Sequence, residues 1–84
     1  MAHFAQVKDN VVQQVIVVNN EVLENKEFPE SEAIGIAFCK SLYGEDTEWL
    51  QCSYNKQFRG IYPGIGLIYD SELDVFKYPE IPTE

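Results

Sequence analysis

The basic and aromatic residues most suited to binding a ligand lie close together in one part of the chain. Residues 49–69 contain none of the fourteen acidic residues, but two of the six basic and five of the eleven aromatic residues. Basic side chains that pair with phosphate and aromatic rings that stack on bases are how proteins hold single-stranded nucleic acid. The pattern predicts that RNA or single-stranded DNA is contacted by Tyr54, Asn55, Lys56, Phe58, Arg59 and Tyr62. The alternative is that these aromatic rings pack in the core.

The other reactive side chains predict neither catalysis nor a metal site. His3 is the only histidine and has no recognisable nucleophile or carboxylate beside it, so it is interpreted as structural or exposed. Cys39 and Cys52 lack the spacing of zinc ligands and are interpreted as buried apolar residues. Three carboxylates are spaced by two residues around a predicted turn: Asp70, Glu72 and Asp74. Because this turn lacks the glycine of a calcium-binding loop, we predict solvated acids, no cofactor and no enzyme activity.

Length and charge limit the class of protein. With 84 residues the chain is predicted to form one domain over residues 1–78, followed by an extended tail over residues 79–84. It has neither a signal peptide pattern nor the roughly 18-residue apolar run of a membrane span. A net charge of −8 opposes non-specific attraction to polyanions, so a nucleic acid would have to meet a local patch.

The elements that must position the patch follow from local patterns. Two alternating segments around Asp9-Asn10 predict a hairpin over residues 2–19, because both turn residues tolerate positive φ. A helix is predicted from an N-cap at Ser31 to about Tyr43, with Gly44 after its end. Three further strands are predicted over residues 47–54, 65–69 and 73–78. The order β-β-α-β-β-β predicts a mainly β protein, either a strongly bent sheet or a small, partly open barrel capped by the helix.

The predicted helix has apolar residues on two sides, which is unusual for a helix on the surface of a small monomer. One side carries Ala33, Ile34, Ala37, Phe38 and Leu42. The opposite side carries Ile36, Cys39 and Tyr43. Either a loop or the tail covers this second side, or another copy of the chain does. We predict a homo-oligomer whose contact is formed by the second side or by an edge strand.

Several segments resemble those of a large family of marine cyanophage and ocean-metagenome proteins. They are MAHFAQV, QQVIVVNN, SEAIGIAFCKSLYGEDTEW and QCSYNKQFRGIYPGIGLIYDSELDVF, so the resemblance covers nearly the whole chain. It implies an Sm-like fold, which is a strongly bent five-stranded barrel that assembles into a closed ring, from a pentamer to a heptamer. No enzymatic activity is implied.

Two functions are therefore expected for such a protein. The first is a non-catalytic, Sm-like phage protein that binds RNA or single-stranded DNA as an oligomeric ring. The alternative is a virion structural or adaptor protein that contacts another phage protein. The corresponding locations are the cytoplasm of the infected host cell and the virion.

Overall fold

The fold consists of one helix and five strands. A computed structural model describes residues 2–79, so the predicted tail lies outside the described residues except for Pro79. Along the chain the elements are β1 (Ala2–Lys8), β2 (Val11–Val18), α1 (Glu30–Tyr43), β3 (Glu48–Cys52), β4 (Ile68–Asp70) and β5 (Val75–Lys77). The predicted mainly β composition with one helix is confirmed.

The first two strands form the predicted antiparallel hairpin. Asp9 and Asn10 have φ angles of 52° and 65°, which is the conformation that a two-residue turn between twisted strands requires. Pairing runs from Lys8 opposite Val11 to Ala2 opposite Val18, with one irregularity between Gln6 and Val7. The hairpin is the centre of the sheet, since β3 pairs with β1 and β4 pairs with β2.

The sheet is open, and the prediction of a barrel is wrong. Its spatial order is β3-β1-β2-β4-β5, which differs from the order along the chain. Strand β4 begins only at Ile68, not at residue 65, because Gly66 has a φ of 91° and lies in a turn that the Leu67 N–H closes by donating to the Gly64 carbonyl. As a result β4 pairs with β2 at one position, Val11 opposite Ile68. The two terminal strands, β3 and β5, do not pair with each other, so the sheet is not closed.

Apolar side chains cover both faces of the central strands. On one face, Phe4 and Trp49 pack with the helix and with Leu23 from the preceding loop. On the other face, Ala5 and Val7 pack with residues that follow β3, including Phe76. The alternation predicted for β1 therefore separates two clusters, and the C-terminal third of the chain covers the face that the helix leaves open.

The helix lies on the sheet through a narrow, small-residue face. Ser31, Gly35 and Cys39, spaced by four residues, are its buried positions. Ser31 is not the N-cap, which is Pro29; its hydroxyl instead donates to the Gln51 side chain on β3 at 2.7 Å. Cys39 is fully buried inside the single chain and has no surface to offer a second copy.

The other two residues of the predicted oligomer contact also have partners in their own chain. Ile36 packs against the cluster that contains Phe4, and the Tyr43 ring lies 5.2 Å from the Trp49 ring. The apolar second side of the helix is thus largely explained by the sheet beneath it. Tyr43 keeps about half of its surface exposed.

Candidate functional site

A groove lies between two loops that follow β2 and β3. One wall comes from residues 20–28 and the other from residues 53–58, while the floor is formed by the start of β1 and the end of β3. Its volume is about 700 Å³. The lining is mostly polar and consists of Ala2, His3, Asn20, Asn25, Lys26, Glu27, Phe28, Gln51, Cys52, Ser53, Tyr54, Asn55, Gln57 and Phe58.

The structure brings only part of the predicted nucleic-acid contacts into this groove. Tyr54, Asn55 and Phe58 line it, whereas Lys56 is exposed in the same loop but lies outside the lining. Tyr62 contacts the site through the Tyr54 ring. Arg59 lies apart, in an ion-pair network described below.

Three aromatic rings form a cluster at one end of the groove. The centroid of the His3 ring lies 5.7 Å from that of Tyr54 and 5.4 Å from that of Tyr62, and the two tyrosine rings are 5.2 Å apart. Tyr54 nevertheless keeps 66% of its surface exposed. Burial lowers the pKa of His3, so the imidazole is neutral at neutral pH and stacks as an uncharged ring.

The cluster follows from strand pairing. His3 on β1 is opposite Cys52 on β3, and Tyr54 comes two residues later, so it emerges on the same face. His3 was not among the predicted site residues. The signal that could have found it is the alternation of β1, which puts His3 on the face of Ala5 and Val7.

A second pair of rings joins the two walls of the groove. Phe28 and Phe58 are stacked with centroids 3.8 Å apart, and the Arg59 guanidinium lies 5.2 Å from the centre of the Phe28 ring. Phe58 therefore has one face already occupied. Sequence reasoning missed Phe28 because it belongs to the loop before the helix, thirty positions from Phe58.

Arg59 connects the two outer strands of the sheet. Its guanidinium donates to both oxygens of Glu32 on the helix, to Asp74 before β5 and to the Gln51 carbonyl on β3. Its own carbonyl accepts the N–H of Phe76 on β5. Burial acts to lower the pKa of Arg59, but the hydrogen bonds to Glu32 and Asp74 outweigh it and raise the pKa. The side chain is only 9% exposed, so its charge is used inside the chain.

The cationic groups that remain accessible near the groove are lysines. Lys56 is exposed and has no ion pair within residues 2–79. Lys26 lines the opposite wall, next to Glu27. Between them the lining supplies amide groups from asparagine and glutamine, which can both donate and accept hydrogen bonds. The groove can therefore recognise a polar, planar ligand better than a purely anionic one.

Other chemistries find little support in the part of the chain that the structure describes. No three His, Cys, Asp or Glu side chains are grouped so that they could hold a metal ion within residues 2–79. Burial raises the pKa of Cys52 to about 12 and that of Cys39 to about 11, so both thiols are protonated at neutral pH. None of the described helices is long and apolar enough to cross a membrane.

The carboxylate of Asp74 gives the network a pH dependence. Hydrogen bonds from Tyr69 and then from Arg59 hold the pKa of Asp74 below its ordinary value of 3.8. Because the charged form is favoured by folding, its stabilisation is complete above that value and is lost as the pH falls through the lower, folded-state pKa. We expect Tyr69→Phe to move the pKa of Asp74 back towards 3.8 in a carboxyl NMR titration. An unchanged pKa would show that the Tyr69 hydroxyl does not bond Asp74.

Comparison of the chain with protein-family models, with curated proteins and with solved structures finds no match in any of the three.

Proposed function

We propose that this chain is a non-catalytic protein that binds single-stranded nucleic acid, RNA or single-stranded DNA, in the groove between residues 20–28 and 53–58. One observation carries the proposal. The Tyr54 ring is 66% exposed, yet it is held at the mouth of the groove by contacts with His3 and Tyr62. An aromatic ring that is fixed and exposed at once is a stacking surface that needs little further ordering when a base binds.

The neighbouring groups complete the mode of binding. A base stacks on Tyr54, which contributes about 1–3 kcal/mol for such contacts. The amides of Asn55 and Gln57 hydrogen-bond base edges, and Lys56 pairs with phosphate. Arg59, which the sequence pattern included, takes no part, because withdrawing it from Glu32 and Asp74 would leave two carboxylates without their partner.

The charge of the chain sets the expected strength of binding. The net charge of −8 opposes a polyanion, while residues 49–69 carry no acid and present Lys56. One or two phosphate contacts give a shallow salt dependence, with a slope of about −0.7 in log K against log salt for each contact. Stacking and amide contacts therefore supply most of the affinity.

The test is fluorescence anisotropy with labelled oligo-U, oligo-A and oligo-dT at low salt. Tyr54→Ala is expected to weaken binding about 5- to 150-fold, which corresponds to the loss of one stacked base. Tyr78→Ala removes an equally exposed tyrosine outside the groove and should leave the affinity unchanged. Lys56→Ala should reduce the salt slope by about 0.7, whereas Lys8→Ala should not change it.

Two results would contradict the proposal. One is the absence of binding to all three oligonucleotides at high micromolar protein concentration. The other is binding that Tyr54→Ala and Tyr78→Ala weaken equally, since this would mean that the groove is not the site.

A second candidate function is that of a virion structural or adaptor protein. The observation that favours it is a set of large apolar side chains that are exposed outside the groove: Val17, Leu42, Ile65 and Leu73. Such side chains are typical of protein contacts when they lie together. Detection of the chain in purified virus particles by mass spectrometry would favour this function over the first.

The kinship with marine cyanophage proteins, the Sm-like classification and the closed ring stay predictions from the resemblance. The five-stranded antiparallel sheet and the single helix support only the coarser, mainly β part of that classification, since the sheet is not closed into a barrel. The two expected locations, the cytoplasm of an infected cell and the virion, are predictions of the same kind.

A further inference from the structure

One strand edge in the middle of the sheet has no partner. Strand β4 reaches β2 only at Val11, and the turn that precedes it uses both main-chain groups of Val12: the N–H donates to Leu67 and the carbonyl accepts from Gly66. Beyond that point, residues 13–18 pair with β1 on one side. On the other side, within residues 2–79, they have no main-chain partner. Alternate residues of this stretch therefore present their N–H and carbonyl groups outwards.

The two terminal edges of the sheet are protected, in contrast. On β3, the Gln51 N–H donates to Glu32 and its carbonyl accepts from Arg59. On β5, the Phe76 N–H donates to the Arg59 carbonyl, and Gly60 forms a bridge with Phe76. Another strand could pair with Gln51 or with Phe76 only by displacing Arg59 or its partners.

The β2 edge also lacks the features by which proteins block pairing. Its sequence, VVQQVIVV, contains no charged residue and no proline, and its valines and isoleucine favour extended structure. Val17 is 54% exposed, although it belongs to an apolar run of the kind that is usually buried.

We infer that this edge binds a second copy of the chain, with the two β2 strands antiparallel about a two-fold axis near the middle of residues 13–18. The result is a dimer with one continuous ten-stranded sheet. A self-complementary contact of this kind is closed, so it yields a dimer and not a ring. Cross-strand pairs between β-branched residues stabilise such a contact.

Charge favours a second copy over a foreign strand. Each chain carries −8, so two copies repel wherever their acidic surfaces meet. Strand β2 is uncharged over its whole length, and two copies can approach there at least cost. The same lack of charge gives the edge nothing with which to select a basic or an acidic partner. Its apolar sequence is complementary to itself.

The dimer also has a consequence for the groove, which rests on the proposed function. A two-fold axis between antiparallel strands stands perpendicular to the sheet, so both His3–Tyr54–Tyr62 clusters lie on the same face. Since His3 is opposite Val17, each cluster is one strand away from the contact. Two stacking sites on one face bind a long oligonucleotide more tightly than a short one through effective concentration.

The experiment is light scattering coupled to size exclusion on the full chain, which needs no ligand and so can fail independently of the proposed function. The wild type is expected at twice the chain mass of 9.6 kDa. Val17→Lys is expected at the monomer mass, because two lysines then face the uncharged contact. Val17→Thr keeps the branched shape without charge, and Leu42→Lys adds the same charge on the exposed helix surface. Both should stay dimeric.

Amide hydrogen exchange by NMR locates the contact. Alternate amides within residues 13–18 should exchange at least tenfold more slowly in the wild type than in Val17→Lys, while the thermal unfolding temperature of that variant shows that it is folded. A monomeric wild type, a larger ring, or a dimer that Val17→Lys leaves intact would overturn the inference. So would equal exchange of these amides in the two proteins.

Discussion

Gly35→Ala is expected to destabilise the fold by about 2 kcal/mol, although alanine is the better helix former. A Cβ atom at this position would lie 1.9 Å from Cζ of Phe4, whose ring is fully buried. The helix would gain about 1 kcal/mol in propensity. Forcing side chains into a packed core costs about 1–3 kcal/mol, and so deep an overlap with a fully buried ring belongs at the upper end of that range. Urea denaturation should show a lower midpoint with an unchanged slope.

Matched variants separate overlap from other effects of the substitution. Gly64→Ala places the same methyl group where nothing lies within 4 Å, so it should not lower the free energy of unfolding and should raise it by at most about 1 kcal/mol. Combining Gly35→Ala with Phe4→Leu should recover part of the loss, because a smaller side chain leaves room beneath the helix. A Gly35→Ala variant as stable as the wild type would mean that the helix does not rest on Phe4.

This glycine illustrates what the sequence could not reveal. Local pattern predicted the hairpin to within one residue and the end of the helix at Tyr43, because turn residues and alternation act between near neighbours, but it placed the start of the helix two residues late. The reason for a glycine inside the helix lies with Phe4, thirty-one positions earlier in the chain. A pattern read along a sequence carries no record of such a contact.

The barrel prediction failed for a related reason. Residues 65–69 have the composition of a strand, but the φ of Gly66 is positive and its N–H is used by Val12. Counting five strands was enough to predict the sheet. Closure depends on strand length and register, which a short glycine-containing segment leaves undetermined.

The candidate site was predicted in part. Tyr54, Asn55 and Phe58 were found because they lie in one short loop of distinctive composition. The opposite wall, which includes Phe28, and the floor at His3 come from segments that show no unusual composition. They were missed because only the folded chain brings them to that loop.

Arg59→Ala is expected to lower the free energy of unfolding by about 3 kcal/mol. Glu32, whose side chain is only 20% exposed, would lose the cation that binds both of its oxygens, and uncompensated buried charges cost about 3–5 kcal/mol. Asp74 is more exposed and should contribute little. The Gln51 carbonyl would also lose its donor, so the link between β3 and β5 would rely on main-chain bonds alone. Urea denaturation of the purified variant measures the loss.

Arg59→Lys should recover less than half of that loss, because an ammonium group cannot reproduce the fork that reaches Glu32, Asp74 and Gln51 together. Lys56→Ala is the control: it removes an exposed cation three residues away and should change stability by less than about 0.5 kcal/mol. A double-mutant cycle with Glu32→Gln should show a coupling energy of about 1–3 kcal/mol between the two side chains.

The same two variants decide which cation meets a nucleic acid. If Arg59 is structural, Arg59→Ala lowers stability but leaves the oligonucleotide affinity of the folded protein unchanged. Lys56→Ala then leaves stability nearly unchanged but weakens oligonucleotide binding. A variant of Arg59 that stays as stable as the wild type but binds less tightly would return this residue to the phosphate-binding role that its place in the sequence indicates. The network with Glu32 and Asp74 argues against that outcome, because a phosphate would have to compete with two carboxylates for one largely buried guanidinium.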